Sequence, residues 1–353
     1  MNNISAETVE TGILDLTTPL FSLRVDERQF RPIADPSVQR ELFATYVKRI
    51  VLETSAYCNR RCRFCPNADG SRLERGQHMP EDSFHAIIED LASIGYAGTI
   101  LFHLYNEPLA NPGIFEQIAF TRLKLPSANL SFNSNGDYIR HDTLRRLALA
   151  GLNRLHISIY GPEHGLFDSD YVMDRVRSMA TLCGLPETSA KWVSELECRA
   201  IGTFAEGDLR LPLVIQARNF NSAGYDRGGL VRADELNTAA RQYPCPSPFD
   251  ELLITWNGAV VPCCNIVGDR PEHKSYIVGK VVGPGDIFAI YANGPLVAWR
   301  RSLMRFGQQS GPCTTCTRLS KPVAELTEAH EAFNAKVDSI IRSAKTAEGR
   351  AQS

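Results

Sequence analysis

Apolar residues recur along the chain in two alternating periods. Val47-Lys48-Arg49-Ile50-Val51-Leu52 reads as a strand rich in Val and Ile. Behind Met79-Pro80-Glu81-Asp82, residues Phe84, Ile87, Ile88 and Leu91 fall at helical spacing, and Gly95 stops the run. The alternation continues with a strand over 99–104, a helix near 113–124, a strand over 130–133, a helix over 140–150 ending at Gly151, and a strand over 155–159. A helix near 170–184 leads to strands over 195–201 and 211–217. Strands that alternate with helices make βα units and a parallel sheet. The expected fold is therefore α/β, a partial (β/α)6 parallel barrel over 47–235 behind an aperiodic extension over 1–46. In such barrels chemistry sits at the C-terminal ends of the strands.

After Gly224, Gly228 and Gly229 the character changes. Leu252 to Val261 reads as two short strands about an Asn257-Gly258 turn, a strong hairpin signal. A second, smaller β-hairpin/α domain is expected over 240–322. Val323, Leu326, His330, Phe333, Val337 and Ile341 mark a helix over 323–344, and the polar residues that close the 323–353 segment read as disordered.

Composition changes the picture in one respect. Of the 353 residues, 38 are basic and 40 acidic, so no nucleic-acid footprint is written in bulk charge. No apolar run approaches the ~18–20 residues of a membrane span. The acidic N-terminus lacks the basic and apolar regions of a signal peptide. A cytoplasmic protein with neither nucleic-acid nor membrane partners is expected. In that setting ten cysteines, most of them in one early and one late group, point to metal ligation or catalysis rather than disulfides.

The early group is Cys58-x3-Cys62-x2-Cys65, directly after a strand. Three thiolates fall one short of a structural zinc site. They suit a [4Fe–4S] cluster that leaves one iron open. With Phe64 inside the motif, the loop resembles the C-x3-C-x-aromatic-C signature of the radical S-adenosylmethionine (SAM) superfamily. That resemblance implies a SAM-binding cluster on Cys58, Cys62 and Cys65, and cleavage of SAM to a 5′-deoxyadenosyl radical. The protein then supplies position and shielding. It extends to Asn106-Glu107-Pro108, to Ser134-Asn135-Gly136 and to Ser158-Ile159-Tyr160-Gly161, each at a strand end. By the same resemblance Phe64, Glu107, Asn135 and Ser158 are the expected SAM contacts, with Glu107 facing the ammonium group. His103 and His156 alternate with apolar residues and read as core histidines.

The late group is Cys245 and Cys263 flanking the hairpin, then Cys313-x2-Cys316. On chemistry alone, four thiolates suit zinc as well as a cluster. The spacing resembles the twitch subdomain, a short form of the SPASM domain, which implies one auxiliary [4Fe–4S] cluster. Enzymes of this short form oxidise a secondary alcohol of an aminocyclitol or epimerise a sugar carbon in natural-product assembly. The implied function is hydrogen abstraction from a small carbohydrate- or aminocyclitol-like substrate, with an electron from a flavodoxin- or ferredoxin-type donor. Epimerisation needs a thiol hydrogen donor, for which Cys198, Cys264 and Cys183 are candidates, Cys198 first. A peptide maturase and a non-catalytic zinc or iron–sulfur scaffold stand as alternatives. The few residues before the barrel weigh against a peptide-recognition domain.

Overall fold

Strand follows helix in the expected order through the first half of the chain. The strands are β1 (Arg49–Leu52), β2 (Thr99–Leu101), β3 (Asn129–Ser134) and β4 (Arg154–Ile159). Between and after them lie α2 (Glu81–Ser93), α3 (Ile114–Lys124), α4 (His141–Ala150) and α5 (Ser169–Leu182), with α1 (Pro36–Tyr46) before β1. The computed structural model describes residues 13–16, 23–161, 167–220, 224–231, 239–321 and 323–352. The expected boundary between 235 and 240 falls largely outside them.

Ten strands make one sheet. To the first four are added β5 (Lys191–Ser194), β6 (Glu197–Glu206), β7 (Leu209–Arg218), β8 (Glu251–Ile254), β9 (Ala259–Val261) and β10 (Gly279–Lys280), in the order β10-β9-β8-β1-β2-β3-β4-β7-β6-β5. The run from β8 to β7 is parallel throughout, six strands wide. This is the partial barrel, with one correction to its composition. The strand expected over 195–201 is not a βα unit. It is β6, which turns back at Gly207 (φ +55°) and pairs antiparallel with β7. Only two residues separate the arms, whereas a parallel crossover needs a dozen or more. The sixth parallel strand comes from far down the chain: β8 pairs with β1, Glu251 opposite Arg49 and Ile254 opposite Leu52. Every residue of β8 is buried, as suits a parallel strand covered on both faces. The Asn257-Gly258 hairpin to β9 is present, so the late domain grows directly from the edge of the barrel.

Alternation sorts the side chains. In β4, Leu155, Ile157 and Ile159 join the core under the helices, while His156 and Ser158 face a cavity on the other side. In β7, Leu213, Ile215 and Ala217 face the core and Gln216 and Arg218 the cavity. Cys198 pairs across the hairpin with Ala217 and is fully buried in the same core as Val176 and Ala180 of α5, as is Cys183. The expectation that Cys198 faces the substrate is therefore corrected: its alternate face belongs to the helix layer.

Two terminal elements differ from expectation. The extension contains α1, whose N-cap Asp35 accepts from Ser37 N at 2.8 Å, with Pro36 at the first helical position. The C-terminal helix runs from Glu328 to Gln352, through residues expected to be disordered. Its Phe333, Val337, Ile340 and Ala344 form one stripe against Phe30, Phe249, Met304 and Phe306, and Arg301 pairs with Glu348 at 3.0 Å. Among the described residues no helix is long and apolar enough to cross a membrane.

Arg72, 2% exposed, ties the early cysteine loop to both halves. It reaches Glu53 after β1 at 2.5 Å and Asp269 after β9 at 2.8 Å, and Asp269 also accepts from Trp256 Nε1 at 3.1 Å. Removing one partner of a buried ion pair strands the other. Arg72→Ala is expected to cost about 3–5 kcal/mol, read as a fall in the urea midpoint. A loss below about 1 kcal/mol would show that this tie is dispensable.

Candidate active site

The barrel encloses a cavity of about 470 Å³ at the C-terminal ends of β1 to β4 and β7. Cys58, Cys62 and Cys65 all line it. Their loop is held on several sides. Arg60 and Asp137 form a two-point ion pair at 2.7 and 2.6 Å, and Asn59 donates to the same carboxylate at 2.7 Å. Cys58 N donates to Arg72 O, Cys65 N donates to Cys62 O, and Arg270 donates to Pro66 O at 2.9 Å. Phe64 stacks on Phe220 with ring centroids 4.8 Å apart and tilts against Tyr160 at 5.2 Å. Burial pushes the Cys58 thiol up to about 11. A thiol bound to metal is deprotonated outright.

Glu107 is 2% exposed at the N-cap of the Pro108–Ala110 turn. Its carboxylate accepts from Asn135 N at 2.7 Å, Ser134 Oγ at 2.8 Å and Leu109 N at 3.1 Å. Burial nevertheless raises it to about 7. Asn135 Nδ2 donates to Asn59 Oδ1 at 2.8 Å, which links the third strand end to the cysteine loop. The cavity thus gathers Phe64, Glu107, Asn135 and Ser158 around the three thiols.

Deeper in the barrel lie polar groups to which the motif reading assigned no role. His103 and His156 face the cavity, not the core. His103 Nδ1 accepts from Asn133 N at 3.1 Å, and burial lowers its pKa to about 4. It is therefore neutral, with its proton on Nε2 as a donor. Glu251 of β8 is gripped by Arg49 of β1 and, at 2.7 and 3.0 Å, by Arg318. Strand alternation carried this signal: His156 and Ser158 share one face, as do Glu251 and Leu253.

A second, smaller cavity lies beside the first and is lined by Cys245, Cys263, Cys313 and Cys316. Burial and the nearby Cys245 and Cys316 push Cys313 up to about 12. Asn265 Nδ2 donates to Cys316 Sγ at 2.9 Å and Asn265 N to Cys263 Sγ at 3.4 Å, and Arg241 reaches Cys316 Sγ at 3.8 Å. Donors aimed at sulfur suit thiolates that carry charge in a cluster. Among the described residues no three His, Cys, Asp or Glu side chains are gathered tightly enough for one metal ion. Zinc holds its thiolates about 2.3 Å from a single centre. A cluster binds each thiolate through a different iron, and four cysteines are its usual ligand set. Cys264 points the other way, into the barrel cavity, and its carbonyl accepts from the Tyr105 hydroxyl at 2.5 Å.

Comparison with known proteins agrees with this geometry. Residues 52–172 match the radical SAM superfamily and residues 245–317 an iron–sulfur cluster-binding domain, SPASM. The chain is 31% identical over 282 residues to S-adenosyl-L-methionine-dependent 2-deoxy-scyllo-inosamine dehydrogenase of Niallia circulans, covering 78% of this chain and 95% of that one. It is 31% identical over 115 residues to an AdoMet-dependent heme synthase of Methanosarcina barkeri, covering 32% of this chain and 31% of that one. The fold matches the crystal structure of BtrN in complex with AdoMet and 2-DOIA, with a TM-score of 0.52 at 20% identity over 80% of this chain and 96% of that one. The chain belongs to the radical SAM superfamily, in the branch that carries a C-terminal SPASM domain, and with that membership come a [4Fe–4S] cluster, SAM and auxiliary iron–sulfur binding.

Proposed function

We propose that this chain is a radical SAM dehydrogenase that oxidises a secondary alcohol of a small carbohydrate- or cyclitol-like substrate. Cys58, Cys62 and Cys65 are the ligands of the SAM-binding cluster; Cys245, Cys263, Cys313 and Cys316 are those of one auxiliary cluster. When bound, the first cluster and SAM supply a 5′-deoxyadenosyl radical that takes a hydrogen atom from carbon, with the electron drawn from a flavodoxin- or ferredoxin-type donor. Glu107 faces the SAM ammonium, Ser158 donates to its carboxylate, and Phe64 and Asn135 shape the pocket around it. The neutral Nε2–H of His103 donates to a substrate oxygen.

The observation that carries the oxidation is the wall between the cavities. Cys263 faces the four-thiol site and Cys264, bonded to it, faces the barrel cavity. A carbon radical beside a hydroxyl becomes a ketone by losing one proton and one electron. An acceptor one residue behind the wall suits that loss. A relative that is a dehydrogenase supports the same ending. Epimerisation remains the second reading, because Cys264 is the cavity cysteine outside both ligand sets.

The deciding experiment is anaerobic turnover of amino-substituted, neutral and oxyanion-bearing cyclitols and sugars carrying deuterium at the reacting carbon. Oxidation predicts deuterium in 5′-deoxyadenosine and a ketone product, undiminished in Cys264→Ala. Solvent deuterium on the recovered substrate carbon, lost in Cys264→Ala, would establish epimerisation instead.

The cluster assignment predicts about eight irons per chain after reconstitution. Converting Cys58, Cys62 and Cys65 to Ala is expected to remove roughly half of that iron and all SAM cleavage. Stoichiometric zinc in anaerobically purified protein would contradict the second site.

The raised Glu107 carboxyl gives a pH signature. Below about 7 it is protonated and must release that proton to face an ammonium. SAM affinity is expected to rise with pH through about 7 and then level off. Calorimetry on Glu107→Gln is expected to show weaker binding with that rise abolished. A rise that persists in the variant would assign it to another group.

A further inference from the structure

Of the five arginines that line the barrel cavity, four meet a carboxylate among the described residues and one does not. Arg60 is taken by Asp137, Arg218 by Glu197 at 3.1 Å, and Arg49 and Arg318 share Glu251. Glu107 accepts three hydrogen bonds and, on the reading above, meets the SAM ammonium. Arg227 has no carboxylate and no hydrogen-bond acceptor among the described residues, and its Nε is closed off from solvent. Its guanidinium lines the cavity beside the Tyr225 ring, 4.2 Å from the centroid, with Tyr105 at 5.8 Å.

The backbone is arranged to put it there. Arg227 adopts φ +51°, a left-handed conformation that costs a bulky residue free energy and persists only where its surroundings hold it. Asp226 supplies the hold. Its carboxylate accepts from Gly228 N at 3.2 Å and from Thr315 Oγ1 at 2.6 Å, while the Gly228 carbonyl meets His273 Nε2 at 3.1 Å. The segment that carries Arg227 is thereby fastened to the Cys313–Cys316 loop.

The guanidinium needs acceptors for its hydrogen bonds, which nearby charge alone does not supply. A half-buried guanidinium whose Nε has neither solvent nor an acceptor gains free energy when an anion reaches it.

We infer that the substrate carries an oxyanion, a carboxylate or a phosphate, and that Arg227 is the residue that binds it. This rests on the reading of the barrel cavity as the substrate site. It separates the chain from an enzyme for a cationic aminocyclitol, since among the described residues no carboxylate facing the cavity is left to receive a substrate amine. Arg227 is thus a specificity-determining residue. Its forked donors match either oxyanion, and the cation is fixed before the ligand arrives.

The test is calorimetric titration of the reconstituted, SAM-loaded holoenzyme with glucuronate, glucose 6-phosphate, glucose and glucosamine. One oxyanion sugar is expected to bind at least about tenfold tighter than glucose, and glucosamine weaker than glucose. Which of the two binds tells carboxylate from phosphate. In Arg227→Gln that preference disappears, and in Arg227→Lys, which keeps the charge without the fork, part of it returns. Equal binding of all four, absence of binding by both oxyanion sugars, or glucosamine as the tightest ligand overturns the inference. So does a loss of SAM affinity in Arg227→Gln with the sugar preference retained, which would give the guanidinium to the SAM carboxylate. Formation of 5′-deoxyadenosine by the same wild-type preparation reads the radical SAM assignment separately. Its success alongside a failed sugar preference would remove the oxyanion alone.

Discussion

The pairing of β8 with β1 is the constraint on which the rest of the site depends. It brings residues more than two hundred positions apart in sequence into a single parallel ladder, Glu251 beside Arg49. Glu251 cannot be buried there alone, because an unpaired carboxylate in that position would be strongly unfavourable. Arg49 supports it from the barrel side and Arg318 from the late cysteine loop, two residues beyond Cys316. One carboxylate thus fixes the sheet register and the position of the second thiol site together. The hairpin leaving β8 then carries Cys263 and Cys264 into the wall between the two cavities. The chain bends and turns at these two residues, and one of them lines each cavity.

That geometry bears on chemistry more than either cavity does alone. A barrel with three thiols can cleave SAM, but the fate of the substrate radical depends on what lies within reach. Here the four-thiol site and the barrel cavity share a wall at Cys263 and Cys264. The chamber's inner surface is polar yet mostly uncharged in effect, since most of its ions are paired and His103 is neutral. Such a surface suits a ligand with many hydroxyl groups.

Much of this was legible in the sequence because its signals are local. Three cysteines in eight residues after a strand, Glu107-Pro108 and Ser134-Asn135 at strand ends, and Asn257-Gly258 between apolar runs each speak through their immediate neighbours. The misreadings came from partner choice. A three-residue apolar run such as Leu252-Leu253-Ile254 does not say which strand it will join, and β1 lies far away in the chain. Residues 195–217 were read as two βα units, although Gly207-Asp208 was the turn signal that makes them a hairpin. The extension over 1–46 shows no apolar period, although Asp35-Pro36, an N-cap acid before a proline, begins a helix there. For Cys198, alternation tells that a residue changes face but not which face looks inward.

Electron transfer across the Cys263–Cys264 wall is tested most directly by a single-turnover freeze-quench experiment read by electron paramagnetic resonance. The enzyme would be mixed with SAM and its substrate after removal of excess reductant. The expected result is a new reduced-cluster signal that grows in step with ketone formation and is absent from Cys313→Ser/Cys316→Ser. Ketone formed in full by that double variant, or turnover with no new signal and solvent deuterium at the reacting carbon, would contradict it.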